Sequence, residues 1–429
     1  MSCSARAHTQ KHKHTLYART SQHLLCQIIL EEYIHRSIET SELGRIPHTV
    51  AIVSCRCEPA KCTMSPPLPA WRFLRQFPQT QSKFRVVFAG PHFQAALASA
   101  SEILLGRRKG EGRTALPLPI EVIHAPTAES LRTAVAKADV ILPFMEAIPS
   151  DLVESAPRLR LIQQFGVGLE RVDVEEASAH GVAVSNVPAA GSGNAEATAE
   201  HAIMLAMMLL RRVGSDLPRR LRDGELGGMP LPRALLGKEV AVVGYGGVGS
   251  TLCRYLVAMG ARVSAVRRRE WCTVRDAYVD PAIRREDCIE QALRTADVVI
   301  LACSVTAETM HLIREETLAW LSRGALVVNV GRGPLVEHRA ILDAVKSGQV
   351  GGFASDVGVA HPTKPSEPWD PSDELTLHPN TIFTPHIGGY CDLSFGEEGK
   401  ITEAVVRSID AVSVGRPPPI WVNKPQSDG

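Results

Sequence analysis

The chain has 429 residues, 45% of them apolar and 22% charged, which supplies core for two or three domains and excludes a fibrous or wholly disordered polymer. Lys and Arg (47) balance Asp and Glu (46), so no global field favours nucleic acid or an anionic membrane, and any basic feature acts locally. Apolar runs stay far short of the ~20 residues that cross a bilayer, and the expected partners are therefore small molecules rather than nucleic acid or membrane.

Residues 1–83 are rich in His, Ser, Thr and Arg, carry Pro-Pro-Leu-Pro at 66–69 and show little periodicity, so they read as a poorly ordered extension. The first thirty contain no Asp or Glu, as a mitochondrial presequence would, but Glu31 and Glu32 interrupt that pattern. A solvated tail, or a start at Met64, explains the segment better, and a cytoplasmic protein is expected. Cys3, Cys26, Cys55, Cys57 and Cys62 crowd into this region without a paired C-x-x-C framework. No metal site is expected, and free thiols in a reducing compartment are.

From Phe84 short apolar runs alternate with helical stretches: 84–89, 120–123, 139–142, 159–163 and 182–185 read as strands, 93–105 and 128–137 as helices. The charged, Gly-containing segment 107–116 reads as a solvated insertion. A long helix over 195–212 precedes a Pro/Gly-rich stretch, 214–232. A second alternating series then supplies strands at 239–243, 261–266, 298–302, 325–330, 352–355 and 381–384, the six of a complete dinucleotide-binding sheet. A last helix, 399–414, is too short for a domain and is expected to return to the first series. The predicted class is α/β, with two Rossmann-like domains of parallel sheet. A cofactor domain over 189–386 would be inserted into a discontinuous, flavodoxin-like substrate domain made of 84–188 and 387–425.

The strand Glu239–Val243 runs into Gly-Tyr-Gly-Gly-Val-Gly. In such a turn Gly244 permits the bend, Gly246 lets backbone approach a pyrophosphate, Gly249 lets the helix pack on its strand, and Gly247 and Val248 open that helix toward the phosphates. The next strand ends in Arg267-Arg268-Arg269, with no Asp or Glu among residues 261–269 to hold ribose hydroxyls. Arg267 and Arg268 are therefore expected to take a 2′-phosphate, making NADP preferred over NAD. A methyltransferase would share the glycine-rich turn, but not what stands at the later strand ends, where such sheets bind ligands. Arg332 between glycines can clamp a carboxylate or make a surface ion pair. Asp356 can bind a ligand or cap a turn, and His386 between Pro and a Gly pair is a candidate general acid/base or a core histidine.

These residues bring the chain to a resemblance. Gly166-Val167-Gly168 followed by Val172-Asp173, Asn194-Ala195 with Ala199-Glu200, Asn329-Val330-Gly331-Arg332-Gly333 and Thr384-Pro385-His386-Ile387-Gly388-Gly389 resemble the motifs of the D-isomer-specific 2-hydroxyacid dehydrogenases. The resemblance implies a hydride transfer between a nicotinamide and a small 2-hydroxy or 2-oxo acid. Arg332 and the amides of Val167 and Gly168 would hold the substrate carboxylate, His386 would pass the proton, and Asp356 would bind the nicotinamide amide. The family's Glu beside the His is displaced: position 361 is His, and Glu367 is taken as that partner, with a surface cap as its alternative. Pro143-Phe144-Met145 stands where phosphoglycerate dehydrogenases carry an Arg-Ser pair, which disfavours 3-phosphoglycerate and points to glyoxylate or hydroxypyruvate. Phosphoglycerate dehydrogenase activity and a non-catalytic dinucleotide sensor remain the alternatives. A homodimer is implied through helix 194–212, whose Met204, Leu205, Met207, Met208 and Leu209 also suit burial in their own domain.

Overall fold

The fold is taken from a computed structural model that describes residues 83–106, 119–214, 217–225, 231–272, 276, 278–359, 370–396 and 399–425. Apart from Lys83, the N-terminal extension lies outside the described residues, as does the insertion at 107–116. Among the described residues no helix is long and apolar enough to cross a membrane.

Five strands, β1 (Phe84–Ala89), β2 (Ile120–Ala125), β3 (Val140–Pro143), β4 (Leu161–Gln163) and β5 (Ala183–Ser185), form a parallel sheet in the order β2-β1-β3-β4-β5. That is the flavodoxin-like order. Alternate residues enter opposite cores, Phe84, Val86 and Phe88 on one face and Val87 and Ala89 on the other, which is why these strands read as continuous apolar runs. Helix α1 (Gln94–Leu104) covers the first face with Ala96, Ala100 and Ile103, and α2 (Ala128–Val135) covers the second with Leu131 and Val135. The far edge of β5 is closed by the chain's end. Val184 donates to Asn423 Oδ1 at 2.7 Å, and Val422 donates to the Val184 carbonyl at 2.9 Å.

The second sheet holds β6 (Glu239–Val243), β7 (Arg262–Val266), β8 (Ile283–Glu286), β9 (Val298–Leu301), β10 (Ala325–Asn329), β11 (Val350–Ser355) and β12 (Thr381–Phe383), all parallel, in the order β12-β11-β10-β9-β6-β7-β8. The direction of travel reverses between β6 and β9, the switch point where such sheets take their ligands. Seven strands stand where six were predicted. The extra one, β8, is Ile-Arg-Arg-Glu at the sheet edge with Ile283 as its one buried residue, so it has no apolar run to detect.

Helix α3 (Asn194–Leu210) packs Leu205 and Leu209 into the core of this sheet with Val240, Val242, Leu252 and Leu256 of β6 and α4 (Gly247–Ala258), while α5 (His338–Ser347) covers the opposite face. Of the five residues that might have formed a dimer face, Leu205 and Leu209 are therefore internal, and Met204 is exposed. The terminal helix α6 (Lys400–Ser413) lies on the first sheet, where Ile401, Val405 and Ile409 join the core of β1, β3 and β4.

Candidate active site

The glycine turn after β6 behaves as its three glycines require. Gly244 has φ 105°, and a Cβ there would lie 2.8 Å from Ala302 and Cys303 backbone. A Cβ on Gly249 would lie 1.8 Å from the Gly244 carbonyl, so the helix can close on its strand only without one. Gly246 instead faces open space, with nothing within 4 Å of a Cβ built there. Among the described residues no side chain caps the N-terminus of α4, whose first amides, those of Gly247 and Val248 included, suit an anion. Bare backbone, an open approach and an uncapped helix fit the pyrophosphate of a dinucleotide.

Arg267 departs from expectation. Its side chain is 8% exposed, is paired with fully buried Asp276, and lies 4.0 Å over the Trp271 ring. It also donates to the carbonyls of Arg269 and Glu270. A guanidinium already neutralised by a buried carboxylate braces the loop after β7 and is not the open cation that a 2′-phosphate needs. Arg268 and Arg269, beyond it, are exposed.

At the end of β10, buried Asn329 accepts from the Gly331 amide (3.0 Å) and donates to the Arg332 carbonyl (2.8 Å), shaping the turn that presents Arg332. The Arg332 guanidinium crosses to the loop after β4: its Nε donates to Glu170 at 3.0 Å, and its Nη2 would be 2.3 Å from a Cβ on Gly168. Val167 on the same loop is exposed. The structure thus brings Arg332 against Gly168 from the opposite sheet.

His386 follows β12 in the left-handed region at φ 55°, its amide donating to the Asp356 carbonyl at 2.7 Å. Its ring is half-buried, and burial lowers the imidazole pKa below its ordinary value. Asp356 and Glu170 act upward and Arg332 and Arg171 downward, without reversing the effect of burial. Electrostatics thus link His386 to Arg332.

Asp356 has a structural role of its own. Its carboxylate is turned inward: Oδ1 accepts from Thr384 Oγ1 (2.7 Å) and the Ile387 amide (2.9 Å) and lies 3.3 Å from His201 Nε2, while Oδ2 accepts from the Gly388 amide (2.8 Å). Burial alone would raise this carboxyl, but the His201 and Thr384 hydrogen bonds, the His201 charge and the Gly388 amide outweigh it and hold the pKa below the ordinary value. So held, Asp356 pins the His386 loop. The glycines after His386 allow the pinning. A Cβ on Gly388 would meet Asp356 Oδ2 at 2.7 Å, and one on Gly389 would meet Asn194 Oδ1 at 1.9 Å. Glu367 lies outside the described residues.

Glu170, His201 and Asn329 were not singled out from the sequence. His201 carried a signal, as a polar residue on an otherwise Ala/Met/Leu-rich helix that must find a partner. Glu170 carried none, since a Glu in a loop is ordinarily solvated.

Residues 203–388 match the family model described as D-isomer specific 2-hydroxyacid dehydrogenase, NAD binding domain. A glyoxylate reductase of Pyrococcus furiosus is 31% identical over 306 residues, 69% of this chain and 85% of that protein. The chain belongs to the D-isomer specific 2-hydroxyacid dehydrogenases. A glyoxylate reductase of Thermococcus kodakarensis is likewise 31% identical over 69% of this chain and 86% of its own length. Among solved structures, the TT0316 protein from Thermus thermophilus matches with a TM-score of 0.64 at 28% identity, over 79% of this chain and all of that one. The D-lactate dehydrogenase from Aquifex aeolicus complexed with NAD and lactic acid shares the fold, with a TM-score of 0.63 at 22% identity over 80% of this chain and all of that one. As a 2-hydroxyacid dehydrogenase the chain is an NAD(P)-dependent oxidoreductase, and its Rossmann sheet is the nicotinamide-cofactor domain.

For this dehydrogenase, Asp356→Ala is expected to cost about 3 kcal/mol of stability, because His201 and two amides lose a buried acceptor together. Denaturant unfolding checks it, and a midpoint equal to wild type would refute the pinning role.

Proposed function

We propose that the chain reduces a small, unphosphorylated 2-oxo acid, glyoxylate or hydroxypyruvate, with NADPH as the preferred reductant. The observation that carries this reading is the meeting of Arg332 with the Gly168 backbone, with His386 close enough to feel the charges of Arg332 and Glu170. Arg332 and the amides of Val167 and Gly168 hold the substrate carboxylate, and the guanidinium polarises the adjacent carbonyl. His386, protonated, gives its proton to the carbonyl oxygen as the C–O double bond becomes a single bond. The bound nicotinamide supplies the hydride. In the reverse direction neutral His386 takes the hydroxyl proton. Glu367 belongs to the same reading as the carboxylate that orients the imidazole.

Substrate size is supported by the end of β3. Phe144 is buried in an aromatic stack, 5.6 Å from Phe88 and 4.4 Å from Phe165 between ring centroids, and neither it nor its neighbours Pro143 and Met145 bring a cation for a phosphate. The NADPH preference rests on exposed Arg268 and Arg269 and on the lack of a carboxylate at the end of β7. The cofactor unit is read as 189–386, inserted into a substrate unit of 84–188 and 387–425. Homodimerisation along α3 belongs to the same reading, supported by exposed Met204 beside partly buried Met207 and Met208.

Purified protein mixed with NADPH or NADH and either 2-oxo acid, followed at the nicotinamide absorbance band, tests the activity. No turnover with any short 2-oxo acid and either cofactor would overturn it. Arg268→Ser is expected to raise the KM for NADPH about tenfold, the worth of one charge-assisted hydrogen bond, and to leave that for NADH unchanged. A wild-type affinity favouring NADH would sink the preference.

A further inference from the structure

The contact between Glu170 and Arg332 has no stability rationale. The two side chains are 51% and 31% exposed, and a pair so placed contributes under about 1 kcal/mol. Its geometry is nevertheless specific. Glu170 Oε1 accepts from Arg332 Nε at 3.0 Å, and Arg332 Nη1 donates to the Gly331 carbonyl at 2.8 Å. Among the described residues Nη2 has no acceptor, and it lies over the Gly168 Cα. A Cβ there would be 2.3 Å from both Arg332 Nη2 and Glu170 Oε2. Two of the guanidinium's three nitrogens are thus held by protein, and the third is left beside Gly168.

The loop that carries Glu170 is itself braced. Arg171 Nη1 donates to the Met145 carbonyl at 2.8 Å, the Arg171 carbonyl accepts from the Ile148 amide at 2.8 Å, and Ile148 bridges Val172. Glu170 is therefore presented by a fixed backbone.

We propose that Glu170 is a positioning residue of the reaction, holding the Arg332 guanidinium so that Nη2 faces the substrate carboxylate. This rests on the activity proposed above. The charged groups that act on His386 are Asp356, Arg332, Glu170 and Arg171. Asp356 is enclosed by its own hydrogen bonds, so Glu170 is the carboxylate of this set that faces the cleft through Arg332. Two functions then separate by substitution. Glu170→Gln keeps an oxygen acceptor for Nε and loses the charge, whereas Glu170→Ala loses both.

Steady-state kinetics with glyoxylate across pH, together with calorimetric binding of oxamate to the NADPH complex, tests the proposal. Glu170→Ala is expected to raise the glyoxylate KM and the oxamate Kd about tenfold, with the Kd for NADPH unchanged. Glu170→Gln should restore both to near wild type. In both variants the pH above which reduction declines should move down, because a carboxylate that favours protonated His386 is gone. Wild-type KM, oxamate Kd and pH profile in Glu170→Ala would overturn the proposal, as would equal weakening in Glu170→Gln. A wild type inactive with every short 2-oxo acid overturns the activity instead. Oxamate binding then decides Glu170 alone: about tenfold weaker binding in the alanine variant sustains it, while equal binding, or none to wild type, ends it.

Discussion

His386→Ala is expected to lower kcat for 2-oxo acid reduction by about 10²–10⁴-fold, the range for loss of a positioned general acid, while leaving the cofactor Kd unchanged. The imidazole stands at the end of β12, across the sheet order from the glycine turn after β6, so the two sites are removed by different substitutions. His386 occupies φ 55°, where a non-glycine residue costs about 1 kcal/mol, and Ala gains nothing there. His386→Asn is the second variant, since Asn tolerates the left-handed region and keeps the loop folded. The pH dependence follows from the direction of the pKa. In the proposed mechanism reduction needs the protonated ring, whose population falls as pH rises through its pKa. Burial, the largest influence, sets that pKa below the ordinary value of about 6.5. Reduction is therefore expected to weaken as pH climbs toward neutrality, and oxidation of the 2-hydroxy acid to strengthen over the same range. Both limbs should vanish in the His386 variants. Parallel loss of cofactor binding, or an unchanged pH profile, would remove His386 from the proton transfer.

Much of this was legible in the chain because burial on both faces of a parallel sheet writes each strand as an unbroken apolar run. The strands from Phe84 to Ser185 were read for that reason, the glycine turn at 244–249 by its spacing after such a run, and Arg332 and His386 by their places immediately after such runs. Strand β8 escaped because an edge strand needs one buried side chain, and Ile283 is that one. What was not legible at the site has a different cause. Arg267 and Asp356 were read from their places at strand ends, which left their internal partners unseen, Asp276 nine residues on and His201 on a distant helix. A charged side chain at a strand end can turn outward to a ligand or inward to a counter-charge, and only the tertiary arrangement decides which. Glu170 was missed for the converse reason: its partner comes from the other sheet, 162 residues away.

Arg332→Ala is expected to lower kcat/KM by about 10²–10⁴-fold, equivalent to about 3–5 kcal/mol of transition-state stabilisation, with cofactor affinity retained. The guanidinium is asked to do three things at once. It meets Glu170 through Nε, its own turn through Nη1, and the space over Gly168 through Nη2. Lys replaces these with one ammonium on a flexible stem, whose single nitrogen cannot reach all three partners from one position. Arg332→Lys should therefore recover little, staying at least about 10²-fold below wild type, with much of the loss in KM because the substrate carboxylate loses its fixed donor. The measurement is the split between KM and kcat for glyoxylate with NADPH held saturating. Near-complete recovery in the lysine variant would mean that charge alone suffices, and the planar fork on the Gly168 backbone would then have no part in orienting the acid.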